Sequence, residues 1–204
     1  MGRARRRFWQ LSRRRAAFLD RDGVLNALVP DPRSGQAESP LHVRDVSLLP
    51  GAAAAAKRLA TADFALVGVS NQPAAAKGTI ELEELLEVQG RVLELLAAEG
   101  VTFDDFRLCL HHPEAVSADL RGPCDCRKPA PGMLLEAASE LELDLASSWM
   151  IGDTDADVGA GRAAGCRTAL VENPDSAHKR GGEETADLIA ADLPAAAESI
   201  VGTR

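Results

Sequence analysis

The chain has 204 residues, of which 46% are hydrophobic and 26% charged, with 3% aromatics and no tyrosine. That is the make-up of one soluble globular domain with room for a sizeable core, and so few aromatics argue against a base-stacking platform for single-stranded nucleic acid. The net charge of −8 hides an asymmetry, because residues 1–15 hold seven arginines and no acid while residues 16–204 carry 16 cations against 31 acids. Residues 1–15 therefore read as a basic, disordered tail ahead of a single acidic domain over 16–204. No apolar run approaches the ~18 residues of a membrane span, and Phe8–Leu11 is too short for a signal-peptide core. The four cysteines are unevenly spaced, which suits a reducing, cytoplasmic setting better than a disulfide framework.

In chain order, the first strand signal is the apolar run Ala16–Leu19, which leads directly into Asp20-Arg21-Asp22-Gly23. Alternation along an extended chain points Asp20 and Asp22 the same way, and Gly23 frees the backbone to turn. Two carboxylates at the C-terminal end of a buried strand stand where open α/β sheets bind ligands. They can share a divalent cation while dividing the work of nucleophile and general acid/base. A solvated loop or a helix cap would also account for a bare Asp-x-Asp. Residues 26–50 are Pro-rich and polar and read as a long loop closing over the site, followed by a helix over Gly51–Thr61.

A second strand, Ala65–Val69, runs into Ser70-Asn71-Gln72. Their hydroxyl, amide and backbone N–H groups suit either a phosphate or a turn and helix N-cap. The helix over Glu81–Glu99 carries Leu82, Leu85, Leu86, Val92, Leu93 and Leu96 at the spacing of a core-packing face. Strand Phe106–Leu110 then overlaps a cluster, Cys109-x-His111 and Cys124-x-Cys126, with twelve residues between its halves. Three thiols and an imidazole with no open position describe a closed, structural zinc site that would pin the loop 109–126. Arg127-Lys128 follows at once, a pair that could neutralise phosphate charge or simply be solvated.

After a helix over Gly132–Leu141, strand Ser148–Ile151 leads into Gly152-Asp153, with Asp155 and Asp157 opening the helix Asp157–Ala164. Asp153 is expected to complete an oxygen-rich Mg²⁺ site with Asp20, and Asp155 or Asp157 to cap the helix. Strand Arg167–Val171, a hydrophilic stretch Asp175–Thr185 expected to be exposed and mobile, and a last helix over Leu193–Val201 close the chain. Strands alternating with helices imply the α/β class: a Rossmann-like open, mostly parallel sheet with helices on both faces. Chemistry-bearing residues after four of the strands would then meet at one sheet edge.

Taken in order, Asp20-x-Asp22-Gly23, Ser70-Asn71-Gln72, Arg127-Lys128-Pro129 and Gly152-Asp153-x-x-x-Asp157 resemble the four motifs of the haloacid dehalogenase (HAD) superfamily of phosphatases, over roughly residues 16–172. The zinc loop running into Arg-Lys-Pro is similar to that of its heptose-bisphosphate and histidinol-phosphate phosphatase branch. The resemblance implies a Mg²⁺-dependent phosphoric monoester hydrolase that works through an aspartyl-phosphate. Asp20 would be the nucleophile, and Asp22 the acid for the leaving oxygen and then the base for water. Mg²⁺ would be held by Asp20, the backbone carbonyl of Asp22 and Asp153. Ser70, Asn71 and Lys128 would hold the transferring phosphoryl group, and Arg127 would contact substrate.

The same likeness implies a small sugar phosphate as substrate, foremost the 7-phosphate of D-glycero-D-manno-heptose 1,7-bisphosphate. Histidinol phosphate and the 3′-phosphate of a nucleic acid are the alternatives. It further implies little or no cap domain, a monomer, and no membrane partner. A nucleic-acid role would lean on the Arg-rich tail, whereas counterion release needs cations lining the groove itself. One departure stands out: Pro73-Ala74-Ala75-Ala76-Lys77-Gly78 replaces the family's usual Ser-Gly-type turn and Arg-Gly. The non-enzymatic reading, a zinc-stabilised binding module whose aspartates only cap turns, requires Asp20→Asn to be silent.

Overall fold

The computed structural model describes residues 13–202 apart from Arg33 and Glu183. Six parallel strands form its sheet: β1 (Ala16–Leu19), β4 (Ala65–Asn71), β5 (Asp105–Cys109), β6 (Trp149–Gly152), β7 (Arg167–Val171) and β8 (Leu188–Ala190). Two further strands, β2 (Val29–Pro30) and β3 (Ala37–Glu38), make a separate antiparallel hairpin within residues 26–50. The order across the large sheet is β5-β4-β1-β6-β7-β8. Strand β1 is thus the strand at which the order reverses, and a doubly wound sheet opens its ligand crevice there.

Alternation assigns the two faces. Ala17 and Leu19 of β1 enter one core with helices α1 (Ala52–Thr61), α2 (Leu82–Ala98) and α6 (Leu193–Gly202). Ala16 and Phe18 enter the other with α4 (Gly132–Glu140) and α5 (Asp155–Ala164). All four residues of β1 are buried, which is why the run reads as continuously apolar rather than alternating. Helix α2 is held by a capping box between Glu81 and Glu84. Its buried stripe is Leu85, Val88, Gln89, Val92 and Leu96. Leu82 and Leu86, expected in the core, flank that stripe and are 42% and 51% exposed.

Residues 1–12, most of the basic tail, lie outside the described residues. Arg14 and Arg15 belong to the fold. Arg14 Nη1 donates to Asp104 Oδ1 at 3.0 Å, and Arg15 Nη2 donates to the Ala62 carbonyl at 2.7 Å with its guanidinium 4.0 Å above the Phe64 ring. The insertions after β1 and β5 hold only the hairpin, a short 3₁₀ turn and the four-residue helix α3 (Ala118–Arg121), so no separate cap covers the sheet edge among the described residues. The stretch read as exposed and mobile is exposed over most of its described residues, but its first part is anchored. Pro174–Lys179 forms a 3₁₀ helix with Ser176 buried, because its anchors are backbone carbonyls of distant loops and leave no apolar pattern in the sequence. No described helix is long and apolar enough to cross a membrane.

Candidate active site

Asp20 follows β1 and is still held by the sheet, its N–H donating to Ile151 of β6 at 3.0 Å. On the same face as Phe18, its carboxylate meets Lys128, which arrives from the loop ahead of α4. Lys128 Nζ donates to Asp20 Oδ1 at 2.8 Å and to the Val69 carbonyl at 2.7 Å, and stands 2.6 Å from Asp157 Oδ1. The ammonium thus makes two hydrogen bonds and a close ion pair with Asp157. Asn71, at the end of β4, fixes the Lys128 backbone: its Oδ1 accepts from Lys128 N and its Nδ2 donates to Lys128 O, both at 3.0 Å.

Helix α5 brings the remaining carboxylates. Thr154 and Asp157 form a capping box, with Asp157 Oδ2 accepting from Thr154 N at 3.0 Å and from its hydroxyl at 2.6 Å. A Cβ on Gly152 would lie 2.1 Å from that of Asp157, so only glycine lets the helix start so close to β6. Gly23, at φ +88°, does the same for the β1 loop, since a Cβ there would come within 2.0 Å of Asp153 Oδ2. Asp153 is 1% exposed, and its Oδ1 has no hydrogen-bond partner among the described residues.

Asp20, Asp153 and Asp157 each place an oxygen within 4.8 Å of the others. Three buried carboxylates share one lysine, and the electrostatics follow from that. Burial pushes the Asp20 carboxyl up to about 6, against the pull of Lys128 and with the help of Asp157. Burial, then the Asp20 charge, drives Asp153 well above the ordinary carboxylate range. The Lys128 ammonium is held protonated by Asp157 and Asp20, which outweigh its burial. Excess negative charge and an orphaned carboxylate oxygen are what a hard dication with oxygen ligands would satisfy, so the donor set fits Mg²⁺.

The Asp22 side chain stands outside this trio. Its carboxylate accepts from Arg21 Nη2 at 2.8 Å, Asn26 Nδ2 at 2.9 Å, Ser39 Oγ at 2.9 Å and Gln72 Nε2 at 2.5 Å. Arg21, fully buried, also donates to Gln89 of α2 at 3.2 Å. Burial alone would raise Asp22; Arg21, Asn26 and Gln72 outweigh it and hold the carboxyl below its usual range. Ser70 Oγ accepts from Gln72 at 2.9 Å, and Arg127 Nη1 donates to the His111 carbonyl at 3.1 Å. A cavity of about 770 Å³ is lined by Asp20, Asp22, Asp153, Ser70, Asn71, Arg127 and Lys128 together. All seven residues singled out for catalysis, magnesium and phosphate thus face one space, and Lys77 adds a further cation to its wall.

Beside it, Cys109, His111, Cys124 and Cys126 put their donor atoms within 4.8 Å of one another. Cys109 Sγ lies 3.8 Å from Cys124 Sγ and 3.9 Å from His111 Nδ1, close to the ~3.8 Å edge of a tetrahedron with 2.3 Å metal–sulfur bonds. Cys126 Sγ is nearer, 2.9 Å from Cys109 and 3.3 Å from His111 Nδ1. His112 turns away, its Nδ1 accepting from the Glu114 amide at 3.1 Å.

Sequence reasoning passed over Arg21, Asn26, Ser39 and Gln72 as partners of Asp22; it placed Asp157 as a helix cap, which it is, and behind the metal ligands rather than within the acidic trio. The position of Arg21 between two aspartates was visible. Strand alternation would send it to the opposite face, however, and nothing in the pattern shows a guanidinium folding back onto its neighbour.

A family profile described as HAD-hydrolase-like matches residues 125–196. A D-glycero-beta-D-manno-heptose-1,7-bisphosphate 7-phosphatase of Yersinia pestis is 36% identical over 184 residues, 89% of this chain and 94% of that one. A D-glycero-D-manno-heptose-1,7-bisphosphate 7-phosphatase of Thermosynechococcus vestitus is 38% identical over 198 residues, covering 92% and 95%. Among solved structures, the D,D-heptose 1,7-bisphosphate phosphatase of B. bronchiseptica, complexed with magnesium and phosphate, superposes with a TM-score of 0.76 at 30% identity, covering 93% of this chain and 99% of its own. With the acidic trio, the buried lysine and the doubly wound sheet already in place, these likenesses settle the family: the chain belongs to the D-glycero-D-manno-heptose-1,7-bisphosphate 7-phosphatases, which are HAD-type phosphoric monoester hydrolases.

Proposed function

We propose that this protein removes the 7-phosphate of D-glycero-D-manno-heptose 1,7-bisphosphate through an aspartyl-phosphate on Asp20. The observation that carries the reading is Lys128 Nζ held 2.8 Å from Asp20 and 2.6 Å from Asp157, beside the unpartnered oxygen of Asp153. An ionised, buried carboxylate faces the cavity there, next to a fixed cation and the carboxylates of Asp153 and Asp157. Asp20 attacks phosphorus, and the bond from phosphorus to the sugar oxygen breaks as the Asp20–phosphorus bond forms. Asp22 gives its proton to the departing oxygen. It then takes a proton from the water that attacks the aspartyl-phosphate, freeing inorganic phosphate and restoring Asp20.

In the free site Asp22 is charged. A phosphate dianion placed beside it raises its proton affinity, so the acid is made by substrate binding. Lys128 neutralises the transferring group, with Asn71 holding its backbone and Ser70 beside it, while Arg127 meets the rest of the substrate. A Mg²⁺ held by Asp20, Asp153 and the backbone carbonyl of Asp22 supplies further charge neutralisation when bound.

The test is phosphate release with Mg²⁺ from both heptose 1,7-bisphosphate anomers, histidinol phosphate and a 3′-phosphorylated oligonucleotide. One heptose anomer far ahead of the other substrates is the expected result. Asp20→Asn should lose activity by roughly 10³-fold or more, as loss of a nucleophile does. A flat substrate profile, or turnover surviving in Asp20→Asn, would sink the assignment.

The reading includes a zinc ion at Cys109, His111, Cys124 and Cys126. Its support is the complete nitrogen and sulfur donor set and its separations, with no place left for substrate. Cys126 immediately precedes Arg127 and Lys128, so the ion's part is to fix where those cations stand.

A further inference from the structure

The segment from Asn173 to Arg180 is absent from the motifs above, yet it touches both loops that carry the acidic trio. Asn173 Nδ2 donates to the Gly23 carbonyl at 2.9 Å, in the loop between Asp22 and the hairpin. Arg180 Nη1 donates to the Asp153 carbonyl at 3.1 Å. Ser176 Oγ lies between two acceptors, the Asn173 carbonyl at 3.1 Å and that same Asp153 carbonyl at 3.3 Å. The segment is internally braced, because Arg180 Nη1 also reaches the Asn173 carbonyl at 3.0 Å and Ser176 Oγ at 3.2 Å. Ser176 is fully buried and Asn173 is 8% exposed. Just beyond it, Asp155 Oδ2 accepts from the amides of Gly181 and Gly182 at 2.6 and 3.1 Å, which closes the segment onto the start of α5.

These bonds all converge on one contact. Gly23 packs so tightly on the Asp153 carboxylate that a Cβ would lie 2.0 Å from Oδ2. Asn173 fixes the Gly23 side of the contact, and Arg180 with Ser176 fixes the backbone of Asp153 on the other. Inside this clamp the Asp153 side chain is buried and its Oδ1 is left without a partner. A carboxylate that waits for a cation must be held by something other than the cation, and here the holding groups act through its own backbone and its neighbour's.

We propose that Arg180 and Asn173 are positioning residues for the divalent cation: they preset Asp153 against Gly23 so that its free oxygen faces the metal position before any metal arrives. The inference rests on the reading of Asp20 and Asp153 as Mg²⁺ ligands. Groups in this outer position around metal ligands commonly govern affinity by ~10–100-fold. The expectation is that they act on cation affinity rather than on substrate contacts, since neither residue lines the cavity.

The experiment measures Mg²⁺ binding to the full chain by calorimetry, and the Mg²⁺ dependence of turnover, for Arg180→Met, Asn173→Ala and Arg180→Lys. Arg180→Met should weaken Mg²⁺ by roughly tenfold or more, with substrate KM at saturating Mg²⁺ within twofold of the parent. Asn173→Ala should move in the same direction. Arg180→Lys, which restores one N–H donor and the charge, should recover part of the affinity. Arg162→Ala serves as the matched control, because Arg162 bonds Glu184 and the Thr185 carbonyl and no residue of the trio. Mg²⁺ affinity within twofold of the parent in both Arg180→Met and Asn173→Ala would overturn the positioning role. So would an equal loss in Arg162→Ala, which would mean general loosening. If Arg180→Met fails to fold, Asn173→Ala and Arg180→Lys decide the matter by the same readings. A parent protein that binds no Mg²⁺ would instead bring down the metal reading beneath the proposal, and the positioning role with it.

Discussion

Asp20 and Asp22 are two residues apart and live in opposite electrostatic worlds, and that contrast governs what substitutions at each should do. On the proposed mechanism Asp22 protonates the leaving oxygen, so Asp22→Asn should cost about 10²–10⁴-fold with a sugar phosphate. An aryl phosphate whose phenolate leaves without a proton should suffer far less, and steady-state rates on the two substrates would show it. Equal losses on both would mean that Asp22 is not the acid. Asp20 has its folded pKa raised to about 6 by burial, so in the metal-free protein its contribution to stability is present at low pH and is lost as pH rises through about 6. A Mg²⁺ at the proposed site would relieve that penalty. The Mg²⁺-induced rise in Tm should therefore be small near pH 5 and grow towards pH 8; a shift independent of pH would contradict it. The two aspartates and Asp153 were legible in the sequence because each closely follows a short apolar run, and Lys128 because it follows the cysteine cluster at once. The partners of Asp22 were not, because Arg21, Asn26, Ser39 and Gln72 come from three separate segments and carry no shared spacing.

At the level of elements, the proposed zinc site would decide where Arg127 and Lys128 stand. Cys126→Ser should release the ion, lower Tm by roughly 5–10 °C, equivalent to about 2–3 kcal/mol for a chain of this size, and reduce turnover together with it. Zinc content, a thermal melt and an activity assay on one sample suffice; unchanged stability and activity would remove the ion from the argument. Five of the six sheet strands were readable as apolar runs, with edges off by a residue or two. Strand β8 was missed because Leu188–Ala190 is only three residues long. The β2–β3 hairpin was hidden in a Pro-rich stretch whose pairing is two residues deep. The Pro174–Lys179 turn was misjudged for a different reason: a polar segment anchored through backbone carbonyls looks the same in sequence as one that is solvated.

For the molecule as a whole, the order β5-β4-β1-β6-β7-β8 places the site at the reversal of the sheet, as the alternation of strands and helices anticipated. The buried lysine is assembled from distant parts of the chain. Lys128 is held by Asp20, Val69, Asn71 and Asp157, which lie at two strand ends and in the first turn of a helix. Activity and far-ultraviolet circular dichroism should therefore be lost at the same urea concentration, as one cooperative transition; activity disappearing well before the helices would mean that the site melts as a separate unit. The placement of Lys128 also bears on synthesis. Asp20 leaves the ribosome first, but the aspartates that answer it, Asp153 and Asp157, lie in the last third of the chain, and their clamp at Asn173–Arg180 is later still. The nascent protein is consequently inert for most of its translation, and it becomes a phosphatase only when nearly all of it has been made.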